Sequence, residues 1–171
     1  MSGTEAHRMA AAQIFVVNLR NAHLRKFCED ALIQLFYDSS QEVRSQSARC
    51  FLRFEGEQLG EYVSLVEAFV DSLAFTTNHH DLIHALEETT AKLPDEATYR
   101  VCERFLDAVD SDDTNTRSRS LIDADQISQL LLRVYSQSKN QAFQSRCLDL
   151  VDRMAQMDVY GLDQALTQYE R

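Results

Sequence analysis

Tryptophan is absent, proline occurs once and glycine four times in the 171 residues. So few turn formers exclude an all-β sandwich or barrel, which needs turn residues at roughly every 8–12 positions. Positive charge is scarce: 17 Lys and Arg against 27 Asp and Glu give a net charge of −10, the wrong sign for a general nucleic-acid binder. No apolar run nears the roughly 18–20 residues of a membrane span, and the N-terminal layout is not that of a signal peptide. Cys28, Cys50, Cys102 and Cys147 form no Cys-x-x-Cys pair. Four reduced, buried thiols suit the cytosol, so a cytoplasmic location is expected.

What is present is helical periodicity in a chain of ordinary globular composition, 44% hydrophobic and 26% charged. Thr4–Leu19 carries Ala11, Ile14, Phe15 and Leu19 at helical spacing, and Asn21–Tyr37 carries Leu24, Phe27, Cys28, Ala31 and Leu35. Asp38-Ser39-Ser40 breaks the pattern and caps a helix through Val43, Ala48 and Leu52. Gly56 and Gly60 precede a buried helix over Tyr62–Phe75. Thr76–His80 reads as a polar loop, with Asp81 capping Leu82–Leu93. Pro94, Asp95 and Glu96 suit the first turn of the next helix. Asp110–Ser120 is a long solvated loop; Asp123 caps Gln126–Ser136, and helices over Asn140–Met157 and Leu162–Tyr169 close the chain.

About ten helices and no strand follow, joined by short loops that imply antiparallel hairpins. A shift of 99 positions aligns Leu32, Leu35 and Phe36 with Leu131, Val134 and Tyr135, and Val43, Ala48 and Leu52 with Ala142, Cys147 and Val151. Such recurrence predicts an all-α solenoid, a right-handed stack of about five helical hairpins forming a single domain over residues 1–171.

The segment Leu35-x-x-Asp38-x-x-x-Glu42-Val43-Arg44-x-x-x-Ala48-x-x-x-Leu52 resembles a HEAT repeat. The resemblance implies that Asp38 sits at the inter-helix turn with Arg44 as its partner, and that Val43 and Ala48 face the sister helix. Gln41 stands where that family usually has Pro, and the second copy has Gln137 and Phe143 in place of the Asp and Arg. Leu131-Leu132-Arg133-Val134-Tyr135, Arg146 through Met154, Tyr160-Gly161-Leu162 and Tyr169-Glu170-Arg171 resemble the C-terminal tail of large bacterial STAND-class, NACHT-type ATPases. That resemblance implies a sensing or autoinhibitory region, often in antiphage (antiviral) defence, whose partner is an attached or associated nucleotide-binding module. No G-x-x-x-x-G-K-[ST] phosphate loop occurs in this chain.

Catalytic patterns are few. In His79-His80-Asp81-Leu82-Ile83-His84, His80 and His84 stand at i, i+4 with Glu88 one turn on, the layout of a three-ligand metal row. The same run is an H-D-x-x-H, one methylene short of the zinc-protease H-E-x-x-H. With His23 and a later Asp107 or Asp149, His80-Asp81 also fits an HD-type phosphohydrolase. A small metal-dependent hydrolase using His80, Asp81 and His84 is thus one alternative function, and a purely structural adaptor is another. The plainer reading of the run is a polar loop and an N-cap. Burial of the cysteines makes them inert thiols, there is no G-x-S-x-G elbow, and the absence of Trp with an acidic chain disfavours a base-extruding glycosylase.

The chain is therefore expected to be a non-catalytic protein-interaction module with no cofactor or metal. Its recognition face is expected on the second helix of each hairpin, where Arg49 and Arg53, then Glu103 and Arg104, then Arg146, Asp149 and Arg153 are the exposed candidates. Arg117 and Arg119, in the long loop, are a further candidate pair for an acidic segment or a phosphate.

Overall fold

Every regular element described in the computed structural model, which covers residues 3–54, 59–88, 93–110, 123–159 and 161–169, is helical. Backbone contacts gather into two compact units, Met1–Leu93 and Pro94–Arg171. None of the described helices is long and apolar enough to cross a membrane.

The first unit contains α1 (Glu5–Asn18), α2 (Arg25–Phe36), α3 (Gln41–Ala48), α4 (Val63–Asp71) and α5 (Phe75–Glu88), with 3-10 turns at Arg49–Arg53 and Leu59–Tyr62. Thr4 and Ser40 cap α1 and α3, accepting hydrogen bonds from the main-chain N–H groups of His7 and Val43. The stripe that α1 buries is Ala12, Val16 and Leu19, spaced i, i+4, i+7. Ile14, expected in the core, is instead exposed, and so are Leu24 and Phe27 ahead of and within α2. In α2 the buried side is Cys28, Ala31, Leu32, Leu35 and Phe36.

The expected Tyr62–Phe75 helix divides. Ser72 adopts an extended conformation, and both its main-chain N–H and its hydroxyl donate to the Phe69 carbonyl, which closes α4. The expected loop at Thr76–His80 is the first part of α5, kinked at Asn78. Thr76 and Thr77 hydroxyls donate back to the Leu73 and Ala74 carbonyls, and Asn78 reaches the Ser45 hydroxyl of α3 at 3.2 Å. Polar residues that read as loop chemistry are here satisfied inside a helical turn. Asp81 is consequently an internal helix residue, not a cap.

Aromatic rings fill the centre of this unit. Phe51 lies 4.7 Å from Phe69 and 6.0 Å from Phe54, Phe36 lies 5.1 Å from Phe69, and Phe54 lies 4.5 Å from Tyr62. At its edge, Arg25 forks onto the Glu61 carboxylate and carbonyl, both at 2.7 Å, and lies 4.0 Å over the Tyr62 ring.

The second unit contains α6 (Asp95–Asp110), α7 (Ala124–Gln137), α8 (Gln141–Gln156) and α9 (Leu162–Tyr169), with α7 packed against the other three. Asn140 caps α8 by accepting from the Ala142 and Phe143 N–H groups. Gly161 has φ +84°, and a Cβ there would stand 2.6 Å from the Asp125 Cβ, so only glycine lets the chain enter α9 this close to α7. The 99-residue shift matches α2 with α7 in burial: Leu32 with Leu131 and Leu35 with Val134. At the next helix it pairs Ala48 with Cys147, both fully buried, but sets buried Val43 against exposed Ala142, because Phe143 is the residue that anchors the start of α8. Gly56 and the loop residues after Asp110, with Arg117 and Arg119, lie outside the described residues.

Phe51 is fully buried and touches three rings, those of Phe36, Phe54 and Phe69, so Phe51→Ala should destabilise that unit by about 3–5 kcal/mol and Phe51→Leu by distinctly less. Urea titrations of the two variants check this, and equal midpoints for Phe51→Ala and the natural chain would remove the ring cluster as the centre of the core.

Candidate functional site

At Arg49 the winding of α3 tightens to a 3-10 helix, and the period shortens from about 3.6 to about 3.0 residues. Ala48, Phe51 and Phe54, spaced by three, all turn inward and are buried. The same period stacks Leu52 beneath Arg49 on the outer side, with Arg53 next to it. Leu52, expected in the core as the end of the HEAT-like pattern, is 49% exposed because Phe51 and Phe54 hold the interior.

These outward residues form one wall of a surface groove of about 500 Å³. Gln13, Val16 and Val17 of α1 line the other side, and Gln46 of α3 completes the lining with Arg49, Leu52 and Arg53. Val16 is buried, whereas Val17 is 62% exposed. Ile14, one turn from Val17 on the same face, is 60% exposed and extends the apolar row along α1.

Arg49 and Arg53 are both exposed, and neither makes an ion pair among the described residues. Arg49 acts at longer range on half-buried Asp81: burial raises that carboxyl, and the charges of His80, Arg49 and His84 only partly offset the rise.

The α1 wall is held by the turn between α2 and α3. Arg8 donates through Nε and Nη2 to the two Asp38 carboxylate oxygens at 2.7 and 3.1 Å, and the Ser40 N–H donates to the same carboxylate at 2.9 Å. Arg44 lies at this turn but donates from Nη1 to the main-chain carbonyls of Asp38 and Ser39, at 2.7 and 3.2 Å. The guanidinium on the Asp38 carboxylate is thus Arg8, not the Arg44 that the HEAT-like spacing implied. Carbonyls outside any helix ladder draw Arg44 away, and Arg8 arrives from a helix that local spacing cannot reveal. Val43 and Ala48 are fully buried, and Val43 packs with Ala12 and Leu35, flanked by Met9 and Phe15.

The remaining candidates separate from this groove. Arg146 forks onto Glu96 at 2.9 and 3.0 Å and lies 4.3 Å over the Tyr99 ring, while Arg153 donates to Asp107 at 2.8 Å. Both side chains fasten α8 to α6 within the second unit. His80 and His84 are exposed on α5 with near-parallel rings 6.5 Å apart, and no group of three or more His, Cys, Asp or Glu is placed to hold a metal among the described residues. All four cysteines are buried. Burial raises every thiol pKa, that of Cys102 to about 12 and that of Cys147 to about 11, so they stay protonated near neutral pH.

Reading the sequence located Arg49 and Arg53 but missed Gln13, Val16, Val17 and Gln46. The period-three row Ala48, Phe51, Phe54 is the available signal, since a 3-10 helix stacks such residues in line whereas an α-helix fans them over about 120°. No protein-family profile, curated protein or solved structure matches this chain.

Burial alone would raise the Asp38 carboxyl, but the Arg8 hydrogen bonds, the Ser40 N–H and the Arg8 charge together hold it below its ordinary value. A carboxyl depressed on folding stabilises the fold above its unfolded pKa and loses that contribution as pH falls through the folded value. Asp38→Asn should therefore lower the urea midpoint at neutral pH, with the gap to the natural chain closing from about pH 4 downward. A gap that is constant with pH would show that the Asp38 charge contributes nothing.

Proposed function

We propose that the chain is a non-catalytic protein-interaction module that receives a protein partner in the groove between α1 and the Arg49–Arg53 turn. The observation carrying this reading is the pairing of two exposed guanidiniums, without an ion pair among the described residues, with the exposed aliphatics Ile14, Val17 and Leu52. In a chain of net charge −10 this is a local reversal of sign beside apolar surface, the combination that marks a contact face for another protein. Inert, buried thiols support the non-catalytic reading.

Two resemblances refine the proposal. The Asp38 turn, with Val43 and Ala48 packed behind it, supports a HEAT-like helical repeat for α2 and α3. The residues similar to the tail of STAND-class ATPases occupy α7 and α8, in Leu131–Tyr135 and Arg146–Met154. The partner proposed on that basis is a nucleotide-binding module, in the same polypeptide or in another, and the role is regulation or sensing in the cytoplasm of a bacterial cell.

A photoreactive phenylalanine at position 52 is expected to crosslink to a nucleotide-binding protein or module. The same probe at position 73, where Leu73 is 72% exposed in the same unit but lines no part of the groove, should not. Arg49→Gln with Arg53→Gln should abolish the position-52 crosslink while circular dichroism stays unchanged. Equal crosslinking at both positions, or crosslinks indifferent to the arginines, would move the interface elsewhere. Stoichiometric metal in the purified chain, with hydrolysis lost in His80→Ala, would replace the reading with the hydrolase.

A further inference from the structure

Resting on that reading, we infer that the groove takes an acidic amphipathic helix, with its apolar row on Ile14, Val17 and Leu52 and its carboxylates on Arg49 and Arg53. The known ways in which a protein surface receives a peptide narrow to this one by the chemistry of the lining. Strand addition needs a free sheet edge, and the described elements of the first unit are all helical. A proline-rich ligand needs an aromatic-lined slot, yet the groove is lined by Gln13, Val16, Val17, Gln46, Arg49, Leu52 and Arg53, without a ring. The unit's rings at Phe36, Phe51, Phe54 and Phe69 are spent in its core. A phosphorylated extended segment would engage the arginines but leave Ile14 and Val17 uncovered. A helix covers both surfaces at once.

The spacing fits. Arg49 and Arg53 are four residues apart on a 3-10 helix, an advance of about 8 Å at roughly 2.0 Å per residue. Carboxylates at i and i+4 of an α-helix are separated by about 6 Å along its axis, and the long arginine arms span the difference. Ile14 and Val17 present an i, i+3 pair on α1, a ridge that a partner's own i, i+3/i+4 side chains can straddle. Gln13 and Gln46, as both donors and acceptors, tolerate the polar flanks of such a helix.

The test uses the full chain and a fluorescein-labelled synthetic peptide of about sixteen residues, roughly four helical turns. It carries Leu at i, i+3, i+4 and i+7 with Glu pairs at i, i+4 beside them, and binding is read by fluorescence anisotropy. Three comparison peptides are a scramble of the same composition, the same sequence with a central Pro, and a Gly/Ser-rich phosphoserine peptide. The helical peptide should bind at least about tenfold tighter than all three. Leu52→Glu, and Arg49→Gln with Arg53→Gln, should each weaken it by about tenfold or more, while Leu73→Glu should leave it unchanged.

Equal binding by the scramble or the Pro peptide would overturn the helical occupant, and tighter binding by the phosphopeptide would replace it. Sedimentation showing a dimer that the arginine variants dissociate would make a second copy of the chain the occupant and likewise overturn it. In each of these cases a position-52 crosslink that depends on the arginines still supports the interaction module. Absence of both that crosslink and peptide binding removes the two readings together.

Discussion

The contact on which the first unit depends is that of Phe51 with Phe69, their ring centres 4.7 Å apart. A repeat of three brings Phe51 and Phe54 into line with Ala48 on the inward side, and the chain adopts it by tightening into a 3-10 helix. Longer 3-10 runs are uncommon because their hydrogen bonds are poorly aligned; here a ring cluster with Phe36, Phe54 and Tyr62 compensates. The outer side of the same turn is then fixed without further design. What the rings take inward determines that Arg49, Leu52 and Arg53 face out together.

The same arginine device recurs in each unit taken by itself. Arg25 lies over Tyr62 and forks onto Glu61 in the first, and Arg146 lies over Tyr99 and forks onto Glu96 in the second. A planar guanidinium serves a ring face and a carboxylate simultaneously, which an ammonium does not. Exposed pairs of this kind contribute modestly to stability, and each ties one element to its neighbour. Arg8 on Asp38 is the less exposed version, and it fixes the α1 wall of the groove.

Much of this architecture was legible in the sequence, and the failures share a cause. Helix content, the cap at Ser40 and the buried Val43, Ala48 and Leu35 follow from local periodicity and capping chemistry. Ile14 and Leu52 were misplaced because an apolar residue has more than one face available, and the core's choice depends on what arrives from elsewhere in the chain. Ala12 meets Leu35 and Val43, and that contact rotates Ile14 outward. The Thr76–His80 segment failed differently. Its threonine and asparagine side chains bond to carbonyls of the preceding turn, so residues that favour loops are absorbed into a helix. The groove was half visible: its cations lie on one short segment, but its apolar wall lies on another helix.

The small number of cations sharpens the meaning of their positions. Arg8, Arg25, Arg44, Arg146 and Arg153 each have a carboxylate or carbonyl partner inside their own unit. In a chain with ten more acids than bases, an exposed arginine has many carboxylates with which to pair. That Arg49 and Arg53 make no such pair among the described residues, although four residues apart and beside exposed valine and leucine, follows from the turn that carries them. Its inward residues, Cys50 and Phe51, are buried, and its outward neighbours in the groove are glutamines and aliphatics. The groove therefore has one cationic wall and no acidic residue in its lining. The same aromatic packing that stabilises the first unit thus leaves a basic, apolar face on an acidic protein.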